Sequence, residues 1–145
     1  MTAKELIVKD IKDWDTVANL LLAEAGPIRK IVLQGEIGAG KTTLVQAFAR
    51  VLGIKEEVTS PTFSLVNEYT YSDKSSGEFK KIYHLDLYRL KNQQEALNIG
   101  IQDYLDDEYY CFIEWPEIIE DLLQMDILVI KIIVNPDTTR KILFL

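Results

Sequence analysis

Residues 35–42 have the types and the spacing that bind the phosphates of a nucleotide. They read Gly-Glu-Ile-Gly-Ala-Gly-Lys-Thr and satisfy the pattern G-x-x-x-x-G-K-[ST] of a phosphate-binding loop, or P-loop. Glycines let consecutive backbone N–H groups point at an anion. The Lys41 ammonium can contact the β- and γ-phosphates, and the Thr42 hydroxyl can ligate Mg²⁺. The predicted nucleotide contacts are Gly35, Glu36, Ile37, Gly38, Ala39, Gly40, Lys41, Thr42 and Thr43.

A P-loop needs a strand before it and a helix after it, and the sequence supplies both patterns. The apolar, β-branched stretch over residues 30–34 predicts the strand. Over residues 43–52, apolar side chains such as Leu44 and Phe48 recur at helical spacing, and Gly53 ends the pattern. The N-terminus of this helix favours a bound anion. We therefore predict a nucleoside triphosphate site rather than a chance glycine-rich turn.

Two acidic residues are candidates for Mg²⁺ binding and for orienting the oxygen that attacks a phosphate. Glu114 follows the apolar run over residues 110–113, as in a Walker B element, and Asp86 lies within residues 83–89. P-loop chemistry requires an acid at the end of a buried strand. Either residue could instead be a strand-end carboxylate that caps a helix or pairs with an arginine.

Two further features have one functional and one structural interpretation. Ser60, Pro61 and Thr62 place hydroxyl groups after the P-loop helix, which favours a switch segment that senses the γ-phosphate over a simple turn into a strand. Trp115 follows Glu114, and it could equally contact the nucleotide, contact a partner or belong to the core.

Three other side chains are interpreted mainly as structural. His84, the only histidine, lies on an alternating strand and is expected to be packed and hydrogen-bonded rather than catalytic. Cys111 lies in an apolar run and is expected to be an unreactive core residue. Trp14 is expected to pack onto the core, and the short N-terminal segment that contains it could also form a wall of an adenine pocket.

Composition and charge exclude several classes of protein. With 145 residues, 48% hydrophobic and 27% charged, the chain is expected to be a single domain over residues 1–145. A net charge of −7 argues against direct, tight binding to nucleic acid. We find no apolar run of membrane-spanning length and no signal-peptide pattern, and the single cysteine agrees with a reducing compartment. These observations predict a cytoplasmic protein.

The rest of the chain predicts further strands and short helices around the P-loop unit. Before the P-loop, we expect a strand over 5–9 and a helix that is capped by Asp13 or Asp15 and ends near residue 25. After the P-loop helix, we expect a hairpin with strands from Phe63 and from Phe79, and then a helical segment over 92–105 that breaks near Gly100. The last predicted elements are a strand over 109–113, a short helix from Pro116, and a closing hairpin over 126–134 and 140–145. The predicted fold class is α/β, a single P-loop NTPase-like domain with a central mixed, parallel and antiparallel, sheet flanked by helices.

Taken together, the motifs resemble the bacterial TsaE (YjeE) family. The matching segments are residues 35–44, 60–66, 84–90, 100–104 and 113–117, so the resemblance runs from about residue 31 to residue 117. A P-loop alone is shared by many families, whereas ordered motifs at these separations are far more specific.

The resemblance implies an ATPase of tRNA threonylcarbamoyladenosine biosynthesis that uses ATP or ADP and Mg²⁺. It also implies a partner heterodimer of the proteins TsaB and TsaD, which modifies adenosine 37 of tRNAs that read codons beginning with A. The ATPase component supports turnover of that complex and does not transfer the group itself. Contact with tRNA would be indirect, in agreement with the acidic charge.

Carried over to this sequence, the resemblance also implies roles for individual residues. Thr42 and Glu114 would ligate Mg²⁺, and Asp86 would assist hydrolysis. Trp115 would lie near the nucleotide or a partner, and Arg140 would reach the nucleotide. The residues expected to act in catalysis are Lys41, Thr62, Asp86 and Glu114.

Three other functions share parts of this pattern. A small-molecule or nucleotide kinase is the main alternative, but the chain has only four arginines and no arginine-rich lid segment. A GTPase is disfavoured because no Asn-Lys-x-Asp segment is present. A nucleotide-dependent assembly module would need nucleotide binding at Lys41 but neither of the acids Asp86 and Glu114.

Overall fold

The computed structural model of the chain describes residues 4–61 and 64–144. In this part of the chain, strands and helices alternate around one sheet. The strands are β1 (Lys4–Val8), β2 (Lys30–Gln34), β3 (Val66–Ser72), β4 (Phe79–Asp86), β5 (Tyr110–Glu114), β6 (Ile127–Val134) and β7 (Arg140–Phe144). The helices are α1 (Ile11–Ala25), α2 (Lys41–Leu52), α3 (Gln93–Asn98), α4 (Ile101–Asp106) and a 3₁₀ helix, Pro116–Leu122.

The described strands form a seven-stranded sheet in the order β1-β7-β6-β2-β5-β4-β3. The four central strands, β6, β2, β5 and β4, are parallel to one another. At the edges of the sheet, β7 pairs antiparallel with both β6 and β1, and β3 pairs antiparallel with β4. The predicted mixed α/β sheet is therefore confirmed. Because parallel strands are covered on both faces, all but one residue of β2 and all but one residue of β5 are buried.

Each face of the sheet carries its own apolar core. On one face, α1 and α2 pack through residues such as Leu21 and Phe48, and the Phe48 ring stacks on Phe112 with centroids 4.7 Å apart. On the other face, α3, α4 and the 3₁₀ helix cover β4 and β5, where Ile101 and Ile113 are fully buried. This sandwich fixes the ends of β2, β4 and β5, which carry the predicted site.

Two predicted boundaries are wrong, and one break is confirmed. The N-cap of α1 is Asp10 rather than Asp13 or Asp15, because the Asp10 side chain accepts the Lys12 N–H while Asp13 accepts the Asp10 N–H. Strand β3 begins at Val66, because a turn precedes it in which the Leu65 N–H donates to the Pro61 carbonyl at 2.6 Å.

The predicted start of that strand, Phe63, lies outside the described residues. The break predicted near Gly100 is confirmed: this residue has φ +80 and separates α3 from α4. Among the described helices, none is both long and apolar enough to cross a membrane.

Candidate nucleotide-binding site

The P-loop connects β2 to α2, as predicted from its flanking patterns. Gly40 is the N-cap of α2 in a left-handed conformation, with φ +118, and its carbonyl accepts the Leu44 N–H at 2.9 Å. A Cβ at this position would lie 2.7 Å from Cη2 of Trp14, so the indole of α1 packs directly against the loop. Trp14 is 7% exposed and belongs to the core, as expected.

Lys41, the first residue of α2, is held inside the site. Its side chain is buried, and Nζ donates to the Gly35 carbonyl at 2.5 Å. The same Nζ lies 3.5 Å from the centroid of the Trp115 ring, within range of a cation–π interaction. Burial lowers the pKa of the Lys41 ammonium from its usual value of 10.5. The negative charges of Glu114, Asp86 and Glu117 oppose that shift.

The hydroxyl of Thr42 meets the carboxylate of Glu114. Thr42 Oγ1 donates to Oε2 of Glu114 at 3.1 Å, and Glu114 is only 3% exposed at the end of β5. Since β5 is paired directly with β2, the strand that leads into the P-loop, sheet geometry brings this acid to the start of α2.

Asp86 stands beside Glu114 on the neighbouring strand. The two residues are register partners in the parallel β4–β5 pair. Asp86 is buried, and its Oδ1 accepts the Tyr88 N–H at 3.0 Å. Both predicted acids therefore lie at the carboxyl edge of the sheet, next to the P-loop.

The P-loop and the two acids enclose one cavity of about 350 Å³. Among the described residues it is lined by Ile37, Gly38, Gly40, Lys41, Thr42, Thr43, Ser60, Asp86, Tyr88, Glu114 and Trp115. A wider cleft of about 1000 Å³ lies at the opposite, amino-terminal ends of the parallel strands, between residues such as Lys30, Phe79 and Tyr110. Only the smaller cavity contains the P-loop, and we assign the candidate site to it.

Comparison with known proteins agrees with the motifs. The family model for threonylcarbamoyl adenosine biosynthesis protein TsaE matches residues 8–142. The chain belongs to the TsaE family. The tRNA threonylcarbamoyladenosine biosynthesis protein TsaE of Bacillus subtilis is 36% identical over 133 residues, which span 92% of this chain and 79% of that protein. The protein of the same name from Treponema pallidum is 37% identical over 134 residues, 92% of each chain.

A solved structure supports the fold of this TsaE-family chain. The crystal structure of Bacillus subtilis YdiB superposes with a TM-score of 0.76 and 30% sequence identity, over 99% of this chain and 84% of that one. The resemblance proposed from the sequence motifs is confirmed, and it extends beyond residues 31–117 to β7.

The remaining predicted site residues lie at the margin of the cavity or outside the described chain. Trp115 lines the cavity, with φ +56 and its ring 4.9 Å from that of Tyr88. Arg140 contacts the P-loop backbone: its Nε donates to the Ala39 carbonyl at 2.9 Å. Thr62 is outside the described residues.

The donor set at Thr42 and Glu114 fits a small, hard cation. Mg²⁺ prefers oxygen ligands and is commonly held by one or two protein side chains together with substrate phosphates and water. The described residues contain no group of three or more His, Cys, Asp or Glu placed to hold a metal by themselves. A site of one hydroxyl and one carboxylate needs the phosphates of a nucleotide to complete it.

The environment of His84 was only half anticipated from the sequence. The residue is packed and hydrogen-bonded, as expected, but its partner is the site residue Glu114: Nε2 lies 2.5 Å from Oε2. The available signal was the period-two pattern of β4, which puts His84 and Asp86 on the same face. The missing information was the register of β4 against β5.

Proposed function

We propose that this chain is the ATP-binding and ATP-hydrolysing subunit that supports threonylcarbamoylation of adenosine 37 in tRNAs reading codons that begin with A. Family membership supports the pathway. The observation that carries the ATPase proposal is the 3.1 Å contact of Thr42 with Glu114, beside the buried ammonium of Lys41 at the start of α2. Together they offer a cation, a hydroxyl and a carboxylate to one phosphate chain.

In the proposed reaction, Lys41 binds the β- and γ-phosphates and water attacks the γ-phosphorus. The bond to the β–γ bridging oxygen breaks, which gives ADP and phosphate. Asp86, across the strand pair from Glu114, orients the attacking water and accepts its proton. Thr42 and Glu114 would hold Mg²⁺, and the ion would neutralise charge on the phosphates.

The loop and the edges of the cavity have supporting roles in this proposal. Thr62 belongs to the segment that senses the γ-phosphate, and Trp115 contacts the nucleotide. Arg140 acts on the nucleotide through the P-loop, because its guanidinium bonds to the Ala39 carbonyl.

We further propose that the chain acts as one domain in the cytoplasm and reaches tRNA through a TsaB–TsaD heterodimer. The net charge of −7 supports indirect rather than direct contact with tRNA. Among the described residues, Arg29 lies over the Tyr110 ring and Arg50 pairs with Asp15, so neither is placed as the acceptor clamp that a kinase requires.

The test is a hydrolysis assay joined to a measurement on tRNA. We expect slow release of phosphate from ATP by the isolated protein and faster release after the heterodimer is added. In cells depleted of the protein, threonylcarbamoyladenosine in bulk tRNA should fall, and wild type but not Lys41→Ala should restore it. Unchanged modification after depletion would overturn the assignment. Equal hydrolysis with and without partners would overturn the partner step.

A further inference from the structure

One buried side chain outside the predicted catalytic set contacts the core of the site. His84 is 0% exposed on β4, and its Nε2 lies 2.5 Å from Oε2 of Glu114. Its other ring nitrogen, Nδ1, has no hydrogen-bond partner among the described residues. The imidazole therefore makes its one hydrogen bond with the carboxylate that faces the P-loop.

We propose that His84 is the positioning residue for Glu114, donating its Nε2–H so that the carboxylate is held in the orientation needed for Mg²⁺ and nucleotide. This inference rests on the proposed function, because it assigns Glu114 to the metal. His84 itself touches neither nucleotide nor metal, so its role is to orient another side chain.

The two hydrogen bonds of Glu114 explain how the orientation is held. Thr42 on α2 and His84 on β4 both bond to the same oxygen, Oε2. Donors from two different elements oppose rotation of the carboxylate, and Oε1 is left without a hydrogen-bond partner among the described residues. Outer partners of this kind fix the direction of a metal ligand and raise its affinity for the ion.

Packing alone gives no reason for an imidazole at this position. His84 pairs in register with Phe112 and is fully buried on the face of the sheet that also carries Ile82. An apolar side chain would fill this space without leaving the polar Nδ1 unpaired. The feature that only the imidazole supplies is the donor aimed at Glu114.

The first experiment measures binding rather than turnover. ADP affinity is determined by calorimetry in EDTA and across a Mg²⁺ series for wild type, His84→Leu and His84→Gln. We expect His84→Leu to raise the Mg²⁺ concentration at half-effect about 10–100-fold, with ADP affinity in EDTA unchanged. His84→Gln retains an N–H donor and should recover most of the loss.

Ile82→Val is the matched control, because Ile82 is fully buried on the same strand and face but pairs with Tyr110, four residues before Glu114. It should leave the Mg²⁺ dependence unchanged. If His84→Leu reaches its half-effect at the same Mg²⁺ concentration as the wild type, the positioning role is overturned. If the ADP affinity of the wild type does not depend on the Mg²⁺ concentration, the proposed metal site is overturned instead.

A second measurement uses the unaltered protein and stays valid if His84→Leu does not fold. The chain has one histidine, so ¹H–¹⁵N spectra of the ring report a single imidazole. We expect the proton on Nε2 and a shift of this resonance in Glu114→Gln, but not in Glu117→Gln. A proton on Nδ1 with Nε2 bare would overturn the proposal even if Mg²⁺ binds.

Discussion

Asp86 and Glu114 are direct register partners at the carboxyl ends of β4 and β5, yet they have different hydrogen-bond partners. Glu114 accepts from the Thr42 hydroxyl and is hydrogen-bonded with Nε2 of His84, whereas Asp86 accepts a backbone N–H from Tyr88. The first acid is tied to the P-loop helix and the second to the loop after its own strand. We propose that the two acids have different roles in the reaction.

Amide substitutions should separate the two acids. We expect Glu114→Gln to weaken the Mg²⁺ dependence of ADP binding, because it removes the negative charge from the proposed ligand. Asp86→Asn keeps the oxygen that accepts the Tyr88 N–H, so it should preserve binding while lowering kcat about 100-fold or more. Calorimetry and single-turnover hydrolysis measure the two effects. An equal loss of Mg²⁺ affinity in both variants would contradict this division.

Alanine substitutions at two P-loop glycines should have unequal costs. Gly38 has φ +82 and open space around it, so Gly38→Ala should lower the free energy of unfolding by about 1–2 kcal/mol from backbone strain alone. At Gly40 the new Cβ would also lie 2.7 Å from Cη2 and 2.9 Å from Cζ2 of Trp14. Gly40→Ala should therefore cost more and abolish ADP binding.

Trp14→Phe tests the cause of that difference. In denaturant titrations, Trp14→Phe combined with Gly40→Ala should recover part of the stability lost in Gly40→Ala, since the smaller ring leaves room for the methyl group. Additive losses in the double variant would show that the indole is not the obstacle.

In alkaline solution, nucleotide affinity should begin to fall at a lower pH than it would if Lys41 had the ordinary pKa of a lysine. Burial lowers the pKa of Lys41 below 10.5, and only the charged ammonium attracts phosphate. ADP dissociation constants measured in EDTA should begin to rise at a pH below 10.5, whereas Lys41→Arg, which stays charged, should show no such rise. A flat wild-type profile up to pH 10.5 would refute the prediction.

The same shift has a definite sign for stability. The ordinary lysine pKa applies to the unfolded chain, so between the two pKa values the unfolded state binds more protons. The Lys41 contribution to the free energy of unfolding should therefore increase as the pH rises through the folded-state pKa. Denaturant titrations of wild type and Lys41→Met over that range measure the difference.

The single cysteine should be unreactive in the native protein. Cys111 is fully buried in β5, and burial raises the pKa of its thiol to about 12. At pH 8 a thiol-reactive disulfide reagent should label no cysteine in the native state and one per chain in guanidinium. Rapid labelling without denaturant would show that β5 opens to solvent.

Local patterns predicted the P-loop unit because the residues that determine its strand, loop and helix lie within about twenty positions of one another. The strand, the glycines and the helix from Lys41 follow each other in sequence, and each has a recognisable composition. The mixed sheet could also be predicted, since hairpins and a strand–loop–helix unit imply antiparallel and parallel pairs. The two acids were identified individually: Glu114 by its position after an apolar run, and Asp86 as the acid within residues 83–89.

Contacts between distant segments could not be read from these patterns. The register of β4 against β5 puts Asp86 opposite Glu114 and brings His84 to the carboxylate of Glu114. The alternating pattern of a strand does not determine which residues of the two strands pair. The contact of Trp14 with Gly40 depends on the packing of α1 on α2. The cap at Asp10 was missed because Asp13, the reciprocal partner, resembles a cap itself.

The bond from Arg140 to the Ala39 carbonyl spans 101 residues and has a consequence for protein synthesis. The P-loop is synthesised before β6, the direct neighbour of β2, and before β7, which carries Arg140, and both strands follow about a hundred residues later. Such long-range pairings form slowly and only after the intervening chain is available. A nascent chain that stops before residue 127 would therefore expose an unpaired edge of β2, a surface that holdase chaperones bind, and the proposed ATP site would be incomplete until β6 and β7 have paired.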